Sequence, residues 1–205
     1  KEEELFLEQL RALLQARREA PLRIMFPMIG SLEEFRGGKE LLRQAVNESW
    51  GAEAALPPVG AMIELPSAIE LAPEIAEEAD FISLGSNDLT MYILGVDRSN
   101  SLVGSLYRKD HPALLRATER LVRNVGSLRL QTTVCGESAA DPHMIAFYLG
   151  IGIHRFSVAP HSLPLVARVV RGVSLKACEA EARSLLECAT VEEVDRRREA
   201  WLSGT

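Results

Sequence analysis

The stretch Asp80-Phe-Ile-Ser-Leu-Gly-Ser-Asn-Asp-Leu-Thr90 decides the fold of this chain. Its first part, Asp80 to Gly85, is mostly apolar and has the length of a strand. A glycine, an amide and a carboxylate then follow, where the strand is expected to end. We therefore predict a buried strand that delivers polar side chains to one edge of a sheet.

The same alternation extends in both directions from this stretch. We predict four further strands, at Leu22 to Ile29, Pro58 to Glu64, Leu128 to Cys135 and Arg155 to Ala159. Amphipathic helices are predicted at Glu2 to Arg18, from Ser31 onward, and at Ala68 to Ala79, His111 to Val125, Asp141 to Leu149, Leu163 to Val170 and Leu175 to Trp201. Apolar strands that alternate with amphipathic helices indicate βα units and a parallel sheet.

The fold class is therefore α/β, with about five parallel strands. No Gly-x-Gly-x-x-Gly follows a strand, so a dinucleotide-binding fold has no support. A complete (β/α)₈ barrel needs eight strands and about 250 residues. We predict either an open sheet or the C-terminal part of such a barrel, and we divide the chain into a partial barrel at 1–174 and a helical tail of the same domain at 175–205.

Composition excludes several classes of function. The 205 residues include 23 Lys and Arg against 29 Asp and Glu, a net charge of −6, which argues against nucleic-acid binding. No apolar run reaches the length of about 18 residues that spans a membrane. The 3 cysteines are widely spaced and fit neither a disulfide framework nor a metal site, so we expect a reducing, cytoplasmic location.

Two carboxylates at neighbouring strand ends are the candidate metal ligands. Glu64 ends the second strand and Asp88 follows the third, and Mg²⁺ commonly binds one or two carboxylates together with substrate phosphate. Each residue also has a structural alternative. Glu64 could instead pair with a buried arginine, and the Asn87-Asp88 pair could instead cap the next helix.

Arg98 and Cys135 are the other candidates. A guanidinium suits bidentate contact with phosphate or carboxylate, although a surface ion pair is its commoner role. Cys135 ends the fourth strand, and a thiol with an ordinary pKa near 8.5 is mostly protonated at neutral pH. It could therefore donate a proton to a carbanion or enolate, or it could be a buried apolar side chain. The four histidines show no metal-site spacing; His161 follows a strand.

Five motifs together resemble the family of PEP-utilising enzymes. They are Arg23-Ile-Met-Phe-Pro-Met-Ile, Gly60-Ala-Met-Ile-Glu-Leu-Pro, the Asp80–Thr90 stretch, Val96-Asp-Arg and Cys135-Gly-Glu. Within that family, Leu94-Gly-Val-Asp-Arg-Ser-Asn, Leu106-Tyr and His111-Pro are most similar to the phosphoenolpyruvate–protein phosphotransferases, the enzyme I group of the bacterial phosphotransferase system.

The resemblance implies a (β/α)₈ barrel that binds PEP and Mg²⁺ and dimerises. Glu64 and Asp88 would be the Mg²⁺ ligands. Asn87, Asp88 and Arg98 would bind PEP, and Cys135 would protonate the enolpyruvate that remains after the phosphoryl group leaves. The acceptor would be a histidine on a separate domain, which would pass the phosphoryl group to a phosphocarrier protein in the first step of sugar uptake.

The resemblance has limits. The family usually has Gln where this chain has Met91, and enzyme I commonly has Thr where it has Leu65. The Gly-rich Thr-Ser-His motif of the phosphorylated histidine does not occur, so we expect no activity from this chain alone. A PEP synthase or pyruvate phosphate dikinase relative, or a non-catalytic dimerisation or regulatory module, remain alternatives. Open sheet edges further predict a homodimer or larger assembly.

Overall fold

The protein is seen here as a computed structural model that describes residues 2–16, 21–126, 128 and 130–204, with side chains through 201. One parallel sheet runs in the order β1 (Ile24–Phe26), β2 (Val59–Ile63), β3 (Phe81–Gly85), β4 (Gln131–Cys135) and β5 (Arg155–Phe156). Each strand pairs in parallel with the next one along the chain. The predicted α/β class and the five parallel strands are confirmed.

Helices connect the strands and cover the sheet. They are α1 (Glu2–Ala16), α2 (Leu32–Trp50), α3 (Pro66–Glu70), α4 (Ala72–Glu78), α5 (Ser86–Leu94), α6 (Pro112–Gly126), α7 (Pro142–Gly150), α8 (Leu163–Gly172), α9 (Leu175–Glu187) and α10 (Val191–Gly204). Short 3₁₀ turns lie at Gly104–Leu106, Glu137–Ala140 and Pro160–Ser162. None of the helices in the described part of the chain is long and apolar enough to cross a membrane.

The boundaries differ from the predicted ones in a consistent way. Each strand is shorter than its apolar run; β1, for example, ends before Pro27, which has no backbone N–H to donate to the ladder. The helix predicted at Ala68 to Ala79 is two helices that meet at Leu71, two residues before Pro73. The tail predicted from Leu175 is also two helices. The last two residues of the predicted first helix, and residue 129 of the fourth predicted strand, lie outside the described part.

Ser31 caps α2 as its sequence pattern predicts. Its hydroxyl accepts a hydrogen bond from the backbone N–H of Glu34 at 3.2 Å. The Glu34 carboxylate does not complete the reciprocal half of a capping box, since it accepts from the N–H of Gly30 at 2.7 Å. The effect is to tie the loop after β1 to the first turn of α2.

A core of fully buried side chains lies on the face of the sheet where the register aligns Ile63, Leu84 and Val134. Ala61, Ile63, Ile82, Leu84 and Val134 are fully buried strand residues. On α9, the buried side chains are Cys178, Ala182 and Leu185, which pack toward α7. The C-terminal tail is therefore part of the folded domain, because one face of α9 is buried in the core.

An ion-pair network holds α10 against the loop before α6. Arg108 contacts Asp195 at 2.6 Å and Asp110 at 3.0 Å. Arg198 reaches Asp110 at 3.4 Å and Asp141 at 3.2 Å. Burial opposes ionisation of Asp141, but Lys109 and Arg198 outweigh burial and lower the pKa of that carboxyl. The network fixes the loop that carries Tyr107, whose position matters for the site.

Candidate functional site

The register of the sheet brings three predicted strand ends level with one another. Ile63 pairs with Leu84, so Glu64 lies beside Gly85. Gly85 in turn pairs with Cys135. In parallel sheets the carboxyl ends of the strands form the edge where ligands usually bind. Glu64, the Gly85 loop and Cys135 therefore share one edge, as the sequence predicts.

Glu64 is a buried carboxylate at this edge. It is only 3% exposed, and its Oε1 accepts a hydrogen bond from the backbone N–H of Met28 at 2.7 Å. Burial raises the pKa of Glu64; the Met28 hydrogen bond opposes that rise, and the nearby Asp88 carboxylate adds to it. Among the described residues no Lys or Arg forms an ion pair with Glu64, so its pairing with an internal arginine is not observed.

Met28 was not predicted from sequence as a site residue. Its φ is +55°, in the left-handed region that non-glycine residues seldom occupy. Strain of this kind persists where the surroundings hold it in place, and it clusters at functional sites. Here it directs the Met28 N–H toward Glu64. No local pattern in the sequence marks a methionine for this conformation.

Gly85 makes room for the Glu64 side chain. A Cβ atom built on Gly85 would collide with Oε2 and Cβ of Glu64. Any other residue at position 85 would therefore displace the buried Glu64 carboxylate from this edge of the sheet. This explains in physical terms why a glycine separates the third strand from its polar residues.

Asn87 and Asp88 lie in the first turn of α5, and Gly85 occupies the N-cap position. Neither side chain caps the helix, which removes the structural alternative for this pair. Asp88 instead lies close enough to Glu64 to add to the raised pKa of that carboxyl, which is caused mainly by burial. The amino end of α5 carries a partial positive charge, which favours anions at the same edge.

The Asn87 amide is oriented by two donors. Its Oδ1 accepts from the backbone N–H of Glu137 at 3.0 Å and from the hydroxyl of Tyr107 at 3.5 Å. The amide NH₂ group is therefore left as the end that can donate to a ligand. Tyr107 and Glu137 fall inside sequence motifs that mark the family, but their contacts to Asn87 span 20 and 50 residues of chain and cannot be read from spacing.

Cys135 is partly buried, and its thiol is held by hydrogen bonds. The Sγ donates to the carbonyl of Leu84 at 3.4 Å, and the hydroxyl of Ser83 lies 3.7 Å from the Sγ. Burial raises the pKa of this thiol; the Ser83 contact opposes the rise, and the charges of Glu64 and Asp88 add to it. The thiol is therefore protonated at neutral pH, as an acid must be and a nucleophile must not.

Arg98 lies in the loop after α5 and forms an ion pair with Glu137 at 2.7 Å. Glu137 also donates its N–H to Asn87, so Arg98 is connected to the amino end of α5 through one residue. The charges of Arg98, Glu137 and Asp88 all affect the pKa of Tyr107, which burial raises most strongly. All of the predicted site residues thus meet at one edge. His161 is exposed and has no hydrogen bond or ion pair to them in the described structure.

The donor set at this edge fits Mg²⁺. Two carboxylates close together, with no cation paired to either in the described part of the chain, offer hard oxygen ligands. The described residues contain no group of three or more His, Cys, Asp or Glu side chains arranged for a metal. A pair of carboxylates suits Mg²⁺, which commonly uses few protein ligands and completes its shell with water and substrate oxygens.

Without a bound metal, the repulsion between Glu64 and Asp88 should lower the free energy of unfolding. We expect Glu64→Gln to raise the free energy of unfolding at neutral pH by on the order of 1 kcal/mol, because it removes a buried charge that faces Asp88. For a chain of this size that is a rise in Tm of about 2–4 °C. Thermal unfolding of the two proteins side by side measures it.

The sign follows from the raised pKa of Glu64. A carboxyl with a raised pKa in the fold favours folding when protonated, and that contribution is lost as pH rises through the pKa it has in the fold. Glu64→Gln should therefore be more stable than the wild type above about pH 4.3, the ordinary pKa of a glutamate, and this difference should disappear below that pH. Glu78→Gln is the control, since Arg36 lowers the pKa of Glu78 and its removal should not stabilise. An unstable Glu64→Gln protein would contradict the assignment of an uncompensated charge.

Comparison with known proteins agrees with this fold. A citrate lyase from Burkholderia xenovorans superposes with a TM-score of 0.60 at 17% identity, over 80% of this chain and 53% of that one, which supports the fold alone. The sheet and its likeness to that structure thus define a barrel-type α/β protein. The family model described as "PEP-utilising enzyme, PEP-binding domain" matches residues 1–175, and the chain belongs to that family.

Curated relatives are similar over nearly the whole chain. The Salmonella typhimurium protein named "Phosphoenolpyruvate-dependent phosphotransferase system" is 36% identical over 203 residues, which is 97% of this chain and 27% of that protein. The Staphylococcus carnosus phosphoenolpyruvate-protein phosphotransferase is 37% identical over 93% of this chain and 34% of its own length. The chain therefore spans only 27% to 34% of the length of these relatives, and the family resemblance seen in the motifs is confirmed.

Proposed function

We propose that this chain is the PEP-binding part of a phosphoenolpyruvate–protein phosphotransferase, the enzyme I of a bacterial phosphotransferase system. The whole protein would transfer the phosphoryl group of PEP to a histidine on another domain, and from there to a phosphocarrier protein in the first step of sugar uptake. One observation carries this proposal. A carboxylate pair, an oriented amide, an arginine and a protonated thiol converge on one edge of the sheet.

The anion end of the site has three components. Asn87 would donate its NH₂ to a phosphate oxygen, since its Oδ1 is occupied by Glu137 and Tyr107. Arg98 would bind another oxygen, and the amino end of α5 adds its partial positive charge. Glu64 and Asp88 would hold Mg²⁺, which when bound neutralises the charge that builds up on phosphoryl oxygens.

Cys135 would act on the carbon atoms of the substrate, as a proton donor. When the bond between the enol oxygen and phosphorus breaks, the remaining enolate must gain one proton at its methylene carbon to become the methyl group of pyruvate. A partly buried thiol with a raised pKa keeps its proton until that carbanion forms. The Ser83 and Leu84 contacts would hold the Sγ in place for the transfer.

The departures from the family pattern leave these groups in place. Met91 lies within α5, where its carbonyl accepts from Gly95 and Val96 at the end of the helix. Leu65 is the residue before α3 and packs against the core. Both residues are therefore compatible with the proposed roles of Glu64, Asn87 and Asp88.

We also propose a cytoplasmic homodimer. Within the described structure β1 and β5 each have only one neighbouring strand, so two edges of the sheet lack partners. The α8 helix exposes Leu163 by 55% and Leu165 and Val170 by 40% each. Open edges and exposed apolar side chains favour association with another chain or another part of the protein.

Calorimetric titration of PEP into this chain, with and without Mg²⁺, tests the central proposal. We expect binding that strengthens at least tenfold with Mg²⁺, a difference of about 1.4 kcal/mol. Glu70→Gln, which removes an exposed carboxylate on α3, should bind as the wild type does. PEP affinity that does not depend on Mg²⁺, or no binding at all, would favour a non-catalytic assembly module of the same fold.

A further inference from the structure

Arg98 already has an anionic partner within the chain. Its NH1 lies 2.7 Å from Oε1 of Glu137, and the two side chains are 44% and 66% exposed. Among the ion pairs of the described residues, this is the one that includes a member of the candidate site. Any anion that binds Arg98 must therefore approach a carboxylate as well as a guanidinium.

The backbone holds Glu137 in this position. Its N–H donates to Oδ1 of Asn87 at 3.0 Å, and the hydroxyl of Ser86 donates to the carbonyl of Cys135 at 2.7 Å. Gly136 has a φ of +93°, and a Cβ built on it would contact Oδ1 of Asn87 at 2.9 Å. The loop after β4 is thus bound closely to the first turn of α5, and the Glu137 carboxylate remains near the anion-binding groups.

The Glu137 carboxylate lowers the affinity of this edge for an anionic ligand, because the edge is already acidic. Glu64, Asp88 and Glu137 are acidic, and in the described part of the chain Arg98 is paired with Glu137. A phosphate group gains from the guanidinium but is repelled by Glu137. Because the pair is exposed, Glu137 can rotate away, at the cost of a surface ion pair.

We propose that Glu137 competes with the anionic substrate for Arg98 and so sets the affinity of the site. This inference rests on the proposed function in one respect, namely that Arg98 binds an anion. Glu137 is then a specificity-determining residue. Ligands whose charge can displace a carboxylate from Arg98 bind, and weaker anions such as chloride are excluded.

Glu137→Gln tests the proposal with little change in shape. The variant keeps the N–H that binds Asn87 and an oxygen that can accept from Arg98, but it loses the charge. We expect the Kd for inorganic phosphate, and for PEP with Mg²⁺, to fall by about two- to fivefold, the range expected for an exposed ion pair.

The chain offers a closely matched control. Arg120 and Glu70 form an ion pair at 2.8 Å with side chains 44% and 64% exposed, on α6 and α3. Glu70→Gln removes the same charge from the whole protein but not from the site. A fall in Kd for Glu137→Gln without one for Glu70→Gln supports competition at Arg98. Equal changes in both variants would reflect net charge and would overturn the proposal.

Two readouts separate this inference from the proposed function. Titration with phosphate is followed by the Arg98 side-chain Nε–H resonance, and titration with PEP and Mg²⁺ by calorimetry. PEP binding that is unchanged or weaker in Glu137→Gln overturns competition and leaves the proposed function intact. Tighter phosphate binding in a protein that does not bind PEP would support competition and overturn the proposed function. If neither ligand binds any variant, both proposals are wrong.

Discussion

Replacement of Cys135 by alanine in the full-length protein is expected to slow pyruvate formation by about 10²–10⁴-fold, the usual contribution of a positioned acid. Binding of PEP with Mg²⁺ should be nearly unchanged, because the thiol donates to the carbonyl of Leu84 and not to the anion-binding residues. Steady-state kinetics of pyruvate release measures the loss, and titration with PEP measures binding. The effect should therefore appear in kcat with little change in affinity.

Cys188→Ala is the control for this experiment. Cys188 is a buried thiol, but it lies after α9 and donates to the carbonyl of Ser184 at 3.5 Å, with no contact to the predicted site residues in the described structure. Its loss should leave turnover intact. If Cys135→Ala turned over at the wild-type rate, the thiol would be only a packed side chain, and another group would have to protonate the enolate.

The second large effect concerns the metal. We expect Asp88→Ala to weaken the binding of Mg²⁺ or Mn²⁺ at least tenfold, or by about 1.4 kcal/mol or more. Asp88 and Glu64 are the two carboxylates at the strand ends, and loss of one halves the ligands that the protein would supply. Mn²⁺ binding followed by electron paramagnetic resonance gives the affinity directly.

Two variants make the metal experiment specific. Glu70→Ala removes an exposed carboxylate that pairs with Arg120 and should leave metal affinity unchanged. Glu64→Gln should weaken the metal as Asp88→Ala does, yet yield a more stable protein without metal. Unchanged affinity in Asp88→Ala would remove the metal site from this edge of the sheet.

The site shows how much chemistry depends on residues that only hold others in place. Asn87 can act as a donor because Glu137 and Tyr107 occupy its oxygen. Tyr107 in turn lies in the loop that Arg108 and Asp110 join to α10. Because α10 begins at Val191, beyond the residues matched by the family model, part of the support for the site comes from outside that region.

Local patterns were sufficient for the order of elements and for the candidate residues. Apolar runs of strand length and amphipathic helical spacing depend on residues close in sequence, so they predict five strands that alternate with helices. Parallel strands place their carboxyl ends on one edge, which is why Glu64, Asp88 and Cys135 could be grouped before their positions were known. Boundaries were less accurate, because the ends of strands depend on pairing partners elsewhere in the chain.

The sequence by itself determined the α/β class, the alternation of five strands with helices and the candidate residues at the strand ends, since each follows from local periodicity or from side-chain type at a strand end. Only the tertiary structure decided how those residues act on one another. The register that levels Glu64 with Gly85, the left-handed Met28 and the Arg98–Glu137 pair all join segments that are distant in the chain. The raised pKa values and the ion pair at this edge arise from burial and proximity. Both are properties of the packed molecule and not of any short segment.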